Sequence, residues 1–162
     1  MPGVMVLSEI SKYLCASSAA TSAMTLFSYG LSSGLKRNYK EPELLATIIG
    51  EALSQRSSRA SGWAAHYTMG GVWAALYALS EAGKPSQSAM AGDAGRLGLV
   101  TGMASVAAWR TMFRFYAKEN RQRYDYLFHL IPAHLVYAAV LMLCLKKCQV
   151  RICSRLTEGR EI

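Results

Sequence analysis

Residues 62–79 read GWAAHYTMGGVWAALYAL: no Asp, Glu, Lys or Arg, and one imidazole, His66. The charge-free run extends to 60–80, and two others resemble it: 13–35, with 23 residues, and 127–145, with 19. A bilayer core takes about 20 mostly apolar residues of helix, so each run is long enough to cross. A fourth uncharged stretch, 97–109, has only 13 residues. Arg96 and Arg110 at its ends would stand ~21 Å apart on a helix, and their stems can carry both charges outward. Backbone groups in lipid must be satisfied within their own element, which makes all four segments helices. The expected fold is therefore all-α: an integral membrane four-helix bundle, one domain over 1–162, with spans at about 13–34, 62–80, 94–113 and 127–146. The rival is a soluble bundle of unusually apolar helices. Three separate charge-free runs in a chain of 162 residues argue against it.

Between the first two spans, Pro42 suits a first helical position, and Leu44, Leu45, Ile48, Ile49 and Leu53 recur at helical spacing. This predicts a short amphipathic helix over about 42–55, lying on the membrane surface or docked on the bundle. No basic residue precedes Glu9, so the apolar run from Tyr13 reads as a first span and not as a cleavable signal. The connection RTMFRFYAKENRQRYDYLF (110–128) mixes five basic residues with aromatics, as expected where a helix leaves the bilayer. The basic tail 147–162 suits anionic headgroups, with Cys148, Ile152 and Leu156 on a separate face. Nucleic acid is not an expected partner of a basic segment held between two spans. With 18 basic residues, an outside N-terminus places ten inside and eight outside, which fixes no orientation.

Close packing of helices in lipid depends on small residues. Span three offers Ala91, Gly95, Gly98, Gly102 and Ser105 at spacings of three and four; span two offers Gly70, Gly71, Ala74, Ala75 and Ala78. Span one is dense in Ala16, Ala19, Ala20 and Ala23 with the hydroxyls Ser17, Thr21, Ser22 and Thr25.

Alternating helix direction makes one inference independent of orientation. Spans two and four start on the same side, so His66, His129 and His134 lie in one half of the bundle, level with Tyr29, Ser32, Trp109 and Arg110. Ionisable groups inside a membrane are costly and suggest function. His66 and His134 are the candidate ligands of a haem iron, a metal ion or a quinone, with Tyr29, Trp109 and Arg110 around them. The structural alternative is a pair of neutral imidazoles hydrogen-bonded across helices. His129, five residues from His134, is expected at the interface. The ten acidic residues fall mostly in connections and tails. Cys15 and Cys144 lie at the opposite end from the histidines, which disfavours a mixed zinc site; Cys15 pairing with Cys144 or Cys148 stays open. No nucleophile elbow, Walker loop or HExxH is present, so no catalytic residue is assigned.

The segments MTLFSY (24–29), EPELL (41–45), GWAAHYTMG (62–70), WRTMF (109–113) and AHLVY (133–137), in this order and spacing, resemble an uncharacterised family of small four-span bacterial membrane proteins. The resemblance implies a multi-pass protein of the cell inner membrane and no particular activity. Three functional expectations follow: a structural or accessory membrane component that binds lipid, a membrane protein partner or its own copy; a small cofactor-binding membrane protein; and a transporter-like or channel-like homo-oligomer.

Overall fold

The computed structural model describes residues 2–53, 59–81, 90–116 and 123–158, with side chains over 10–53, 59–80, 92–116 and 124–147. Five α-helices and no strand occur among the described residues: α1 Pro2–Leu35, α2 Glu41–Ala52, α3 Arg59–Glu81, α4 Met90–Phe115 and α5 Arg123–Glu158. Each expected span falls inside one long helix, and α2 begins one residue before the amphipathic segment. Among the described residues one segment, Tyr124–Lys147 of α5, is by itself long and apolar enough to cross a membrane. The side chains of the basic tail beyond Lys147 and most of the 81–91 connection lie outside the described residues.

Helix α5 packs between α4 and α1, α1 packs between α5 and α3, and α2 lies against α3. Small residues set these approaches. A side chain at Gly98 would place its Cβ 2.8 Å from the Leu135 Cα, and one at Gly102 would come 3.2 Å from the Ile131 Cα, so α4 and α5 touch nearly backbone to backbone. Gly70 of α3 faces Thr21 of α1 so closely that a Cβ there would overlap the Thr21 hydroxyl. Ala74 and Ser105 of the expected stripes are buried as well, whereas Gly71 and Gly95 meet nothing within 4 Å. The two cores differ in kind. One is made of Ala16, Ala20 and Met24 of α1 with Ala74, Ala133, Tyr137 and Leu141; the other joins Tyr39, Leu44 and Ile48 to Trp109, Phe113, Tyr126 and Leu130.

A reversal at the end of α1 brings α2 back over this second core. Lys36 takes a left-handed backbone (φ 51°), and the Arg37 N–H bonds the Ser32 carbonyl at 3.2 Å, a pattern that closes a helix C-terminus. The Ser32 hydroxyl accepts the Tyr39 N–H at 2.9 Å, which turns the chain inward. Pro42 then sits in the first turn of α2, where its missing N–H costs no helix bond. Helix α2 is docked rather than lying free: Glu41, Pro42, Leu44 and Ile48 are buried while Thr47 and Glu51 stay outside. Arg37 and Asp125 pair at 3.1 Å across the ends of α1 and α5, but both are half exposed, so the bridge adds at most ~1 kcal/mol.

Candidate functional site

The polar side chains of the bundle gather at the α2 end. Three imidazoles are buried there, and each places its Nε2 against a hydroxyl on a neighbouring helix. His66 of α3 is 2.9 Å from Thr25 Oγ1 of α1, His129 of α5 is 2.8 Å from Ser28 Oγ of α1, and His134 of α5 is 2.7 Å from Ser105 Oγ of α4. Thr25 and Ser28 share the inner face of α1 with Ser17, Thr21 and Ser32, at spacings of four and three.

Hydrogen-bond accounting assigns the tautomers. His129 Nδ1 lies 3.2 Å from the Tyr126 carbonyl and His134 Nδ1 lies 2.9 Å from the Leu130 carbonyl. A carbonyl only accepts, so both Nδ1 atoms carry the proton. Each Nε2 therefore accepts from a serine hydroxyl, and both rings are neutral with all positions used. His66 is arranged in the reverse sense. The Thr25 hydroxyl also lies 2.7 Å from the Thr21 carbonyl; with its proton placed there, His66 donates from Nε2, and its Nδ1 turns to a carboxyl: Glu41 Oε2, 3.7 Å away.

Glu41 was not among the residues singled out by sequence, yet it occupies the centre of the site. It is 9% exposed; its Oε1 accepts the Trp109 indole N–H at 3.2 Å, and its Oε2 has no hydrogen-bond partner. Burial pushes its carboxyl up to about 7, with the Trp109 bond acting in the opposite direction. Aromatic rings wall it in. Trp109, Phe113 and Tyr126 meet pairwise at centroid distances of 4.8 to 5.5 Å, and Tyr39 stacks on His129 at 4.6 Å. A helical signal for Glu41 did exist: positions 41, 44, 45 and 48 fall on one face, so the carboxyl shares the apolar side of α2.

The five residues expected to converge do so in part. His66 and Trp109 meet at Glu41. His134 turns away toward α4, Tyr29 sits on the flank with its ring 6.2 Å from Trp63 and under Lys40, and Arg110 points outward. His129, expected at the interface, is 5% exposed. Both sides of α5 are covered, so the five-residue offset that separates the two imidazoles directs one at α1 and the other at α4. Because His134 has both nitrogens engaged and His66 faces a carboxyl, the pair as folded does not offer two lone pairs to one iron or metal ion. Among the described residues no cluster of three or more His, Cys, Asp or Glu side chains has metal-binding geometry. Cys15 and Cys144 are free thiols, and the Cys148 side chain lies outside the described set.

Tyr126 carries a second orphan: its hydroxyl is fully buried without a partner. Tyr126→Phe keeps the ring and removes the stranded group, so it is expected to stabilise the fold by about 1 kcal/mol. Thermal unfolding in detergent reads this directly, and a lower melting temperature would mean that the hydroxyl is hydrogen-bonded after all. No protein family, curated protein or solved structure matches the chain, and the site is read from its own geometry.

Proposed function

We propose that this is a polytopic membrane protein whose α1, α3, α4 and α5 cross the bilayer as a four-helix bundle, with a structural or accessory role. The observation that carries the reading is an inverted distribution of polarity. Inside lie Ser17, Thr21, Thr25, Ser28, Thr101, Ser105 and three histidines; outside lie Leu26 at 74% exposure, Val100 at 64%, Met103 at 66% and Phe128 at 75%. A soluble bundle buries its large aliphatic side chains and exposes its hydroxyls. Part of what lowers the averaged hydropathy of α1, α3 and α4 is turned inward, while Leu26, Val100 and Met103 face outward beside exposed hydroxyls such as Ser18 and Thr68. The interhelical hydroxyl–imidazole bonds act as fasteners in a medium that supplies no hydrophobic force between helices. Basic groups outside the expected spans suit anionic headgroups, and the bacterial inner-membrane location rests on the sequence resemblance.

The test is cysteine accessibility in a background lacking the four native thiols. Four spans place Thr47→Cys and Ser86→Cys on opposite faces of the membrane, so an impermeant thiol reagent applied to intact cells labels one and spares the other. If both label alike while the protein resists alkaline extraction, α3 does not cross and the four-span reading fails. Release by alkaline carbonate would end the membrane reading.

A further inference from the structure

One group in the buried network lacks a proton that its neighbours could supply. The carbonyls, serines and imidazoles around His129 and His134 are mutually satisfied, donor to acceptor. Between Glu41 Oε2 and His66 Nδ1 they are not. With the Thr25 proton on the Thr21 carbonyl, the Nε2 proton of His66 points to Thr25, which leaves two atoms facing each other across 3.7 Å with no donor between them. With no proton, a carboxylate oxygen would confront an imidazole lone pair. With two, an acid would confront an imidazolium. One proton satisfies both atoms.

We propose that Glu41 Oε2 and His66 Nδ1 form a proton-binding site, which takes up a single proton at the α2 end of the bundle and holds it between a carboxyl of α2 and an imidazole of α3. Loading adds one H⁺ from water to a carboxylate and a neutral imidazole, net charge −1, and yields a neutral pair, a carboxylic acid facing a neutral imidazole. Nothing is oxidised or reduced. The site is a property of the helix packing and does not rest on the number of spans.

The surroundings on every side are consistent with this stoichiometry. From α4, Trp109 contributes a hydrogen bond to Oε1 and no charge. From α5, Tyr126 faces the carboxyl with an unpartnered hydroxyl, and His129 and His134 are occupied with serines. From α1, Thr25 lies between the Thr21 carbonyl and His66 Nε2 and carries no charge, and Tyr29 lies on the flank beneath Lys40. The Lys40 ammonium is itself 3.6 Å from Glu43, and both side chains are partly exposed. Among the described residues, the one basic group within ion-pair distance of Glu41 is His66. Glu41 is also the first residue of α2, next to the exposed turn at 36–38, so exchange with water has a short route at this end.

Infrared difference spectra of the full chain in lipid nanodiscs, titrated with pH, test the site. The expected result is one protonated-carboxyl band that appears on acidification with a midpoint near 7, vanishes in Glu41→Gln, and moves by a pH unit or more in His66→Gln. Nitrogen-15 histidine resonance on wild type and Glu41→Gln provides a readout that does not need the His66 variant to fold. One ring should carry its proton on Nε2 and change at Nδ1 with the same midpoint as the carboxyl band, while two rings stay neutral with Nδ1–H. The proposal is overturned if no band depends on Glu41, or if the Glu41 band ignores His66→Gln. It fails equally if all three rings carry Nδ1–H, or if Glu41→Gln leaves every ring nitrogen unchanged.

Discussion

Replacing Glu41 by Gln is expected to stabilise the bundle by about 3 kcal/mol above pH 7 and to remove most of its pH dependence between 4.5 and 7. The folded carboxyl holds its proton up to about 7 because burial disfavours the charge, whereas its ordinary value is 4.5. Between those two values the folded chain binds more protons than the unfolded one, so stability falls as pH rises. Below 4.5 both states are protonated and the group contributes nothing; above about 7 the full cost is present, ~1.4 kcal/mol for each pH unit between the two values. Glutamine fits the same contacts without a charge. Its carbonyl accepts the Trp109 indole N–H, and its amide can donate toward His66 Nδ1. Thermal unfolding in detergent, wild type beside variant, should give curves that converge at low pH and separate at neutral pH. Parallel curves would show that Glu41 does not titrate in the folded chain.

Gly62→Ala should have the opposite effect, with a loss of about 2 to 3 kcal/mol. Gly62 of α3 lies under the first turn of α2. A Cβ there would overlap the Pro42 carbonyl oxygen and come within 2.9 Å of both the Ala46 nitrogen and Cβ. Two of these three atoms belong to the backbone, so α2 has to move as a body, and Glu41 would move with it. The matched control is Gly71→Ala, nine residues along the same helix, where a Cβ meets nothing within 4 Å. There the better helix propensity of alanine is expected to stabilise by up to ~1 kcal/mol. If the two variants melt together, α2 is not seated on Gly62. The pair also bears on the proton site: Gly62→Ala should move the Glu41 midpoint back toward 4.5 as water reaches the carboxyl, and Gly71→Ala should leave it in place.

The long helices and the short amphipathic one were legible in the sequence because helical periodicity and charge-free length are properties of neighbouring residues. So was the placement of three histidines at one end, since alternating helices of similar length must bring alternate starts together. The expected convergence of His66, His134, Tyr29, Trp109 and Arg110 was legible only as a level in the bundle. Which of them touch depends on how far each helix is rotated about its axis: Trp109 and Arg110 are adjacent in sequence, yet one is 3% exposed and the other faces outward. The burial of His129 was not legible for the same reason, because an offset around one helix says nothing about how many of its sides are covered.

Glu41 marks the boundary between the two kinds of information. By itself the sequence determined that a carboxyl heads the apolar face of a short helix after a turn. Only the tertiary structure decided that this face closes on Trp109 and His66, because its position depends on the left-handed Lys36, on Ser32 holding the Tyr39 backbone, and on the missing side chain at Gly62. Local periodicity specifies which side of a helix is apolar. The partner of that side follows from close approach between residues distant in the chain, and there the environment of one carboxyl is set by helices it is not part of.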